Sequence, residues 1–228
     1  MGSSFEQSQG TMCSTSEGLV LHYKFDESSG TRVNDYSGNK NHGTIEDADW
    51  TNAGKIDGGL KLDGTGGAQT NGYVLNAAVH DLTASIWFKS GARNSHNRTG
   101  FERLIVQSQK PYGGVLWMTM TNWKREYKLA NRYAYLLRGN TELKSGVWNH
   151  AVITWEDDVR KLYVNGKLDA VMEDSLAEAS NSFLHIGRNT FLHDAPFIGT
   201  LDDVQIYDRA LSATEVKQLY NNPGETVD

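Results

Sequence analysis

The clearest structural signal lies near the start of the chain, where residues 18–27 read GLVLHYKFDE. Leu19, Leu21, Tyr23 and Phe25 occupy alternate positions, so a β-strand would place all four on one face. Further strand candidates follow along the 228-residue chain, over residues 59–63, 72–76, 82–89, 103–109, 115–121, 133–138, 148–155, 160–165, 183–187 and 197–207. The chain is therefore expected to form many short strands.

Turn and cap residues complete this pattern. The Asn-Gly pair at residues 165–166 separates two short apolar segments, which is typical of a type I′ β-hairpin. One segment has a helical pattern: Ser212 and Glu215 form a capping box, and Val216 and Leu219 follow at helical spacing. Many strands and one short C-terminal helix predict an all-β, antiparallel β-sandwich in a single domain.

Composition excludes several classes of protein. The net charge is −6, and 38% of the residues are apolar, which is too many for a disordered chain. The apolar runs are too short to span a bilayer, so we expect no membrane partner. Cys13 is the only cysteine, which excludes a disulfide framework and a Cys-based zinc site. We expect residues 1–16 to be a disordered leader or a cloning remnant, 17–222 the domain, and 223–228 a tail.

Five segments give the chain a specific resemblance. They read GLVLHYKFDE (18–27), NDYSGNKNHG (34–43), WNHAVIT (148–154), LYVNGK (162–167) and GTLDDVQIYDRALS (199–212). In this order they resemble the laminin-G-like, concanavalin A-like lectin/glucanase jelly-roll superfamily, over about residues 18–221. The resemblance implies a jelly-roll sandwich and an extracellular or cell-surface location. Because this fold includes lectins, adhesins, glycoside hydrolases and polysaccharide lyases, the fold alone does not choose the function.

The resemblance also implies a calcium site that joins the start and the end of the sandwich. Asp26 and Asp202 would supply carboxylates, and the backbone around Asn41 and Gly43 would supply carbonyl oxygens. A hard cation needs several oxygen ligands and would offset the repulsion between the carboxylates. We therefore expect a structural Ca²⁺. The alternative is that the loop is only a polar turn and that Asp202 caps a neighbouring loop.

Positive charge is concentrated in the middle of this acidic chain. Residues 89–138 contain ten Lys and Arg residues but two Glu residues, a net charge of +8. Trp and Tyr residues are interleaved with these charges. Flat aromatic rings stack on sugar rings, whereas Arg and Lys bind carboxylate or sulfate groups. The combination favours an acidic polysaccharide as the partner.

Strand alternation predicts which residues form the binding face. With Leu104 and Val106 in the core, their neighbours along the strand point to the opposite face, and the same reasoning applies to strands 115–121 and 133–138. The alternative is that this face is covered by a second apolar layer. The predicted carbohydrate-binding residues are Arg103, Gln107, Trp117, Trp123, Arg125, Tyr127, Lys128, Arg132, Tyr133 and Tyr135.

The sequence has neither the His-x-x-x-His spacing of a zinc site nor a Gly-x-Ser-x-Gly nucleophile elbow. We therefore favour a lectin-like module without catalysis. The enzyme alternative is a polysaccharide lyase, which needs a carboxylate-neutralising group, a base and an acid. Those roles would fall to Arg103, Gln107, His150, Tyr133 and Tyr135, although His150 lies in a segment that the family shares whether or not its members are enzymes. A third alternative is an adhesion module that binds a protein partner through loops 91–101 and 122–132. Nucleic acid is disfavoured by the overall acidity.

Overall fold

A computed structural model describes residues 16–75, 81–91, 101–107, 116–123, 126–131, 137–173, 181–188 and 196–227. For residues 101, 117, 121–123, 126, 127 and 131 it describes the backbone without the side chain. The strands are β1 (Leu19–Tyr23), β2 (Arg32–Val33), β3 (Gly43–Glu46), β4 (Asp49–Thr51), β5 (Gly59–Asp63), β6 (Gly67–Tyr73), β7 (Leu82–Ser90), β8 (Phe101–Gln107), β9 (Leu116–Trp123), β10 (Glu126–Asn131), β11 (Leu137–Arg138), β12 (Trp148–Glu156), β13 (Val159–Val164), β14 (Lys167–Glu173), β15 (Phe183–Ile186) and β16 (Ile198–Tyr207). The helix is α1 (Ala213–Asn221).

The strands form two antiparallel sheets. Sheet I has the order β14-β13-β12-β7-β16-β5-β4, and β1 also pairs with β16. Sheet II has the order β11-β10-β9-β8-β15-β6-β3-β2. Apolar residues of both sheets form one buried core between them. This confirms the predicted antiparallel β-sandwich with one short C-terminal helix.

The central strands of sheet I are covered on both faces. Ala84, Ile86 and Phe88 of β7 point into the core. The outer face of sheet I, turned away from the core, is packed under α1 and includes Trp87, His150, Val152, Tyr163 and Tyr207. Burial on both faces explains why almost every residue of β7 is buried.

The helix and the residues after it close this outer face. Ser212 is the N-cap of α1 and forms the predicted capping box with Glu215. Val216 and Leu219 then enter the second apolar cluster, beneath the helix. Val227 is buried in the same cluster, so the segment that follows the helix is packed onto the domain.

The predicted hairpin at residues 165–166 is confirmed. Asn165 and Gly166 have φ values of 51° and 73°, and a type I′ turn needs positive φ at both positions. The Asn165 side chain accepts a hydrogen bond from the backbone N–H of His150 at 2.8 Å. The turn thus fixes the start of β12.

β14 was predicted only as the second arm of the hairpin at residues 165–166, and four short strands, namely β2, β3, β4 and β10, were not predicted at all. They contain few apolar residues and are defined by pairing with neighbouring strands rather than by alternation. β6 also begins five residues before the predicted segment 72–76, because its small and polar residues pair with β3. Of the predicted strand 133–138, only Leu137 and Arg138 lie within the described residues. In the part of the chain that the structure describes, no helix is long and apolar enough to cross a membrane.

The alternation predicted for β8 is wrong in its second half. A β-bulge interrupts the pairing between Arg103 and Ile105. Leu104 and Ile105 therefore both lie in the core, whereas Val106 is buried outside it. A bulge shifts the side-chain period by one residue, which reverses the faces of all residues after it.

Candidate functional site

The outer face of sheet II is the surface that the sequence assigns to glycan binding. It is the face turned away from the core, and its positions alternate with the core residues along each strand. With described side chains it carries Arg32, Thr44, Glu46, Gln69, Asn71, Tyr73, Arg103, Val106, Thr119, Lys128, Ala130, Arg138, Phe183 and His185.

The structure locates only some of the predicted binding residues. Arg103 and Lys128 lie on the outer face, opposite Thr119 and the backbone of residue 121. Arg103 is completely buried rather than exposed, so it forms part of the floor of this face. The backbones of Trp117, Trp123 and Tyr127 lie in β9 and β10, and their side chains are outside the description; the residues that lie wholly outside the described ranges are Arg125, Arg132, Tyr133 and Tyr135.

Gln107 does not lie on the predicted face. It follows the bulge in β8 and pairs with Leu116, a core residue, so its side chain turns inward. Its amide nitrogen donates to the backbone carbonyls of Leu75 at 3.3 Å and Ser182 at 3.4 Å. Gln107 therefore helps to hold the edge of the core together.

An exposed aromatic pair, not predicted from the sequence, lies on the outer face of sheet II. Tyr73 of β6 and Phe183 of β15 are cross-strand partners whose ring centroids are 5.2 Å apart. The two side chains are 56% and 37% exposed. The planes of the two rings are inclined at 45°, so the pair forms an angled aromatic platform that is open to solvent. Exposed aromatic surface of this kind is found at interaction sites.

Polar side chains border this aromatic platform (Tyr73 and Phe183). Gln69 lies opposite His185, two residues along β15 from Phe183, and the pairing of β6 with β15 is irregular between these two points. Thr44 lies opposite Gln69, and its hydroxyl donates to the Asn71 side chain at 2.9 Å. The arrangement places amide and hydroxyl groups beside the rings, where they can bond to the hydroxyls of a sugar stacked there.

The charge on the described part of the outer face is positive. Arg32, Lys128 and Arg138 occupy outer positions in β2, β10 and β11. Glu46 lies on the same face, but its carboxylate is 2.5 Å from the guanidinium of Arg188 and is neutralised by that pair. Burial, with a smaller contribution from Arg188, lowers the pKa of His185 to about 4, so this imidazole is neutral at pH 7.

Comparison with protein families gives the decisive match. A laminin G family model, described as the concanavalin A-like lectin/glucanases superfamily, matches residues 62–217. The chain belongs to this superfamily. The resemblance inferred from the five sequence segments is thereby confirmed. No curated protein sequence matches the chain.

Solved structures share the superfamily fold. Domain 4 of AbnA, an extracellular GH43 arabinanase of Geobacillus stearothermophilus solved with arabinotriose, has a TM-score of 0.69 and 22% identity, covering 90% of this chain and 99% of that one. The binding domain of Paraclostridial mosquitocidal protein 1 has a TM-score of 0.69 and 20% identity, covering 90% and 52%. Trypanosoma rangeli sialidase has a TM-score of 0.67 and 18% identity, covering 89% and 33%. The chain thus spans about half of the second structure and a third of the third, and these identities show a common fold.

The residues proposed for a lyase site are not brought together where the structure describes them. His150 lies in β12 on the outer face of sheet I, whereas Arg103 lies on the outer face of sheet II, across the sandwich. The His150 Nε2 atom is 2.8 Å from the Ser85 hydroxyl, and its ring packs on Trp87 with centroids 4.9 Å apart. A base at this position would be separated from the guanidinium by the whole core.

The predicted calcium ligands are brought together in part. Asp26 and Asp202 line one cavity of about 200 Å³, together with Asp57, Asp203 and Glu225. Asp202 accepts the backbone N–H groups of Lys55 at 2.7 Å and Ile56 at 3.0 Å. Burial raises the pKa of Asp202 to about 7, although these hydrogen bonds oppose the shift.

Asn41 and Gly43 do not line this cavity. The Asn41 carbonyl accepts the Tyr23 hydroxyl at 2.6 Å, and Gly43 lies in β3 against the same ring. Among the described residues, no three His, Cys, Asp or Glu side chains are placed to hold a metal ion together. The predicted four-residue set is therefore not assembled, and any calcium bound here would need ligands from the cavity that contains Asp26 and Asp202.

Proposed function

We propose that this protein is a carbohydrate-binding module that holds a polysaccharide on the outer face of sheet II. The observation that carries the proposal is the aromatic platform of Tyr73 and Phe183. Its rings would stack on the apolar faces of consecutive sugar residues, while Gln69 and Asn71 bond to hydroxyl groups. Domain 4 of AbnA, which has the same fold, was solved with arabinotriose, which supports carbohydrate as the ligand class.

An acidic polysaccharide suits the charges on this face. Arg32 is exposed at the edge of the sheet, and Lys128 and Arg138 are half-buried further across it. Guanidinium and ammonium groups bind carboxylate and sulfate groups through charge-assisted hydrogen bonds. Such a ligand would be met outside the cell, and we accordingly propose an extracellular or cell-surface location.

Removing either ring of the platform should weaken polymer binding. We expect Tyr73→Ala and Phe183→Ala each to raise the Kd about tenfold, which corresponds to about 1.4 kcal/mol of lost stacking. Tyr73→Phe keeps the ring and should stay within about threefold of the wild type, a change worth under ~0.7 kcal/mol. Calorimetry and gel retardation against alginate, pectate, hyaluronan, chondroitin, heparin and ulvan would measure both effects.

Leu168 provides a matched control for these variants. It is 55% exposed and apolar, but it lies on β14 of sheet I. Leu168→Ala should leave the Kd unchanged. The affinity should also fall as salt is raised, because screening weakens contacts between exposed charges. Wild-type affinity in both platform variants would overturn the proposed site, and salt-independent affinity would overturn the acidic ligand.

We further propose that the cavity beside Asp26 and Asp202 holds a structural Ca²⁺. At a free calcium concentration of 100 times the Kd, binding would add about 2.7 kcal/mol to the free energy of unfolding. For a domain of this size that corresponds to a rise in Tm of about 5–10 °C. Scanning calorimetry with calcium and with a chelator would measure the shift, and Asp26→Asn should abolish it. Equal Tm values in both buffers would exclude the site.

A further inference from the structure

A larger cavity, of about 300 Å³, opens at the edge of sheet I. It lies where β1 pairs with β16, between residues 34–42 and the segment that follows α1. His22, Lys24, Tyr36, Ser37, Glu225 and Thr226 are among the residues that line it. Neither ring of the aromatic platform contributes to it, so it is separate from the outer face of sheet II.

The lining combines one aromatic ring with several hydrogen-bonding groups. Tyr36 is 52% exposed, and its ring forms part of the wall. The ammonium of Lys24 lies 5.5 Å from the centre of that ring, and within the described ranges it forms no ion pair. The Thr226 hydroxyl and the Glu225 carboxylate complete a set of donors and acceptors, whereas the Ser37 hydroxyl is already bonded to Asp35. A sugar residue needs this combination: an aromatic face for its C–H groups and polar partners for its hydroxyls.

Hydrogen bonds fix the first wall of the cavity before any ligand binds. The Asp35 carboxylate accepts the backbone N–H groups of His22 and Ser37, each at 2.9 Å, and of Asn41 at 2.8 Å. The backbone N–H of Tyr36 donates to the carbonyl of His22 at 2.9 Å. These bonds hold the loop that carries Tyr36 against β1.

The second wall is fixed in the same way. The Asp203 carboxylate accepts the backbone N–H of Gly224 at 2.8 Å and contacts the His22 Nε2 atom at 2.9 Å. The Gln205 side chain donates to the backbone carbonyl of Glu225 at 2.9 Å. A cavity whose walls are ordered in advance loses less conformational entropy when it binds a ligand.

Charge selects the class of ligand. Glu225 lines both cavities, and the adjoining smaller cavity adds Asp26, Asp57 and Asp202, so an anion would be repelled. In the larger cavity the Lys24 ammonium offsets the single carboxylate, Glu225, so a cation is not favoured there either. We infer that the larger cavity binds one neutral sugar residue, stacked on Tyr36 and hydrogen-bonded by Lys24 and Glu225. This second site does not require a polymer on the outer face of sheet II.

Titration of the full chain by two-dimensional ¹H–¹⁵N NMR tests this site. The probes are neutral: L-arabinose, D-galactose, D-glucose, D-mannose and arabinotriose. At least one should shift the amide signals of Ser37, Gly38 and Gly224. Tyr36→Ala should weaken that binding tenfold or more, whereas Tyr36→Phe, which keeps the ring, should stay within about threefold, under ~0.7 kcal/mol.

The platform variant separates the two sites. Tyr73→Ala should leave the cavity shifts unchanged while it weakens polymer binding, so failure of one proposal is distinguishable from failure of the other. Because Tyr36 is half exposed, Tyr36→Ala should keep the Tm of the wild type. An unchanged Tm would separate a loss of binding from a loss of folding. The inference is overturned if none of the five sugars shifts these amides, or if the shifts persist at the same affinity in Tyr36→Ala.

Discussion

The Asp203→Ala variant is expected to lose about 3–5 kcal/mol of unfolding free energy, because it removes one partner from a buried charged network. Asp203 is 4% exposed and lies at the bulge of β16. It contacts the His22 Nε2 atom at 2.9 Å and accepts the Gln205 side chain at 2.9 Å and the Gly224 backbone N–H at 2.8 Å. One carboxylate thus joins β1, β16 and the segment after α1.

The pKa of Asp203 supports this role. Burial by itself would raise it, but the hydrogen bonds from His22, Gln205 and Gly224 bring it below the usual value of a carboxyl. The group therefore stays ionised in the fold. Removing it leaves the His22 ring nitrogen and one N–H of the Gln205 amide buried without this acceptor, and the half-buried Gly224 N–H also loses its acceptor. Each buried donor left unsatisfied costs about 1–3 kcal/mol.

Asp57 is the matched control for this substitution. Its φ of 47° is close to the 45° of Asp203, so both alanine variants carry the same backbone strain, but Asp57 is exposed. Asp57→Ala should cost about 1 kcal/mol or less. Urea denaturation of both variants with a chelator present would compare them without any contribution from calcium. Equal losses would show that the Asp203 network contributes nothing beyond backbone strain.

The fold was predictable because its signals are local. The alternation in β1 comes from residues two positions apart, and the hairpin is specified by the adjacent Asn165 and Gly166. The capping box depends on Ser212 and Glu215, three residues apart. In each case neighbouring residues determine the backbone conformation, so the pattern can be recognised without the rest of the chain.

The candidate site was less predictable because it depends on strand pairing. Tyr73 and Phe183 are 110 residues apart in the sequence and meet only because β6 and β15 are neighbours in sheet II. The bulge in β8 turned Gln107 inward, and such a bulge has no mark in the local residue pattern. His150, in a segment that the family shares whether or not its members are enzymes, packs beneath α1 against Tyr220.

The stability of the domain is expected to fall by about 3 kcal/mol through His150 alone as the pH falls from 7 to 4. Burial lowers the pKa of His150 to about 4 from an ordinary value of 6.5, with Asp203 opposing the shift and Lys55 adding to it. The Ser85 hydroxyl and the rings of Trp87 and Tyr220 surround it. At pH 7 the imidazole is neutral in both the folded and the unfolded chain. Between pH 6.5 and 4 only the unfolded chain takes up the proton, so unfolding becomes more favourable.

The His150→Gln variant isolates this contribution. Glutamine keeps a side-chain amide near Ser85 but does not titrate. The unfolding free energy of the wild type minus that of the variant should therefore decrease by about 3 kcal/mol as the pH is lowered from 7 to 4. Asp202, with its pKa raised to about 7, acts in the opposite direction over the same range, and His185 acts in the same direction as His150. Both residues are present in the two proteins and cancel in the difference. If this difference between wild type and variant does not change with pH, the His150 imidazole is accessible to solvent. The lyase alternative, in which His150 transfers a proton, would then have to be considered again.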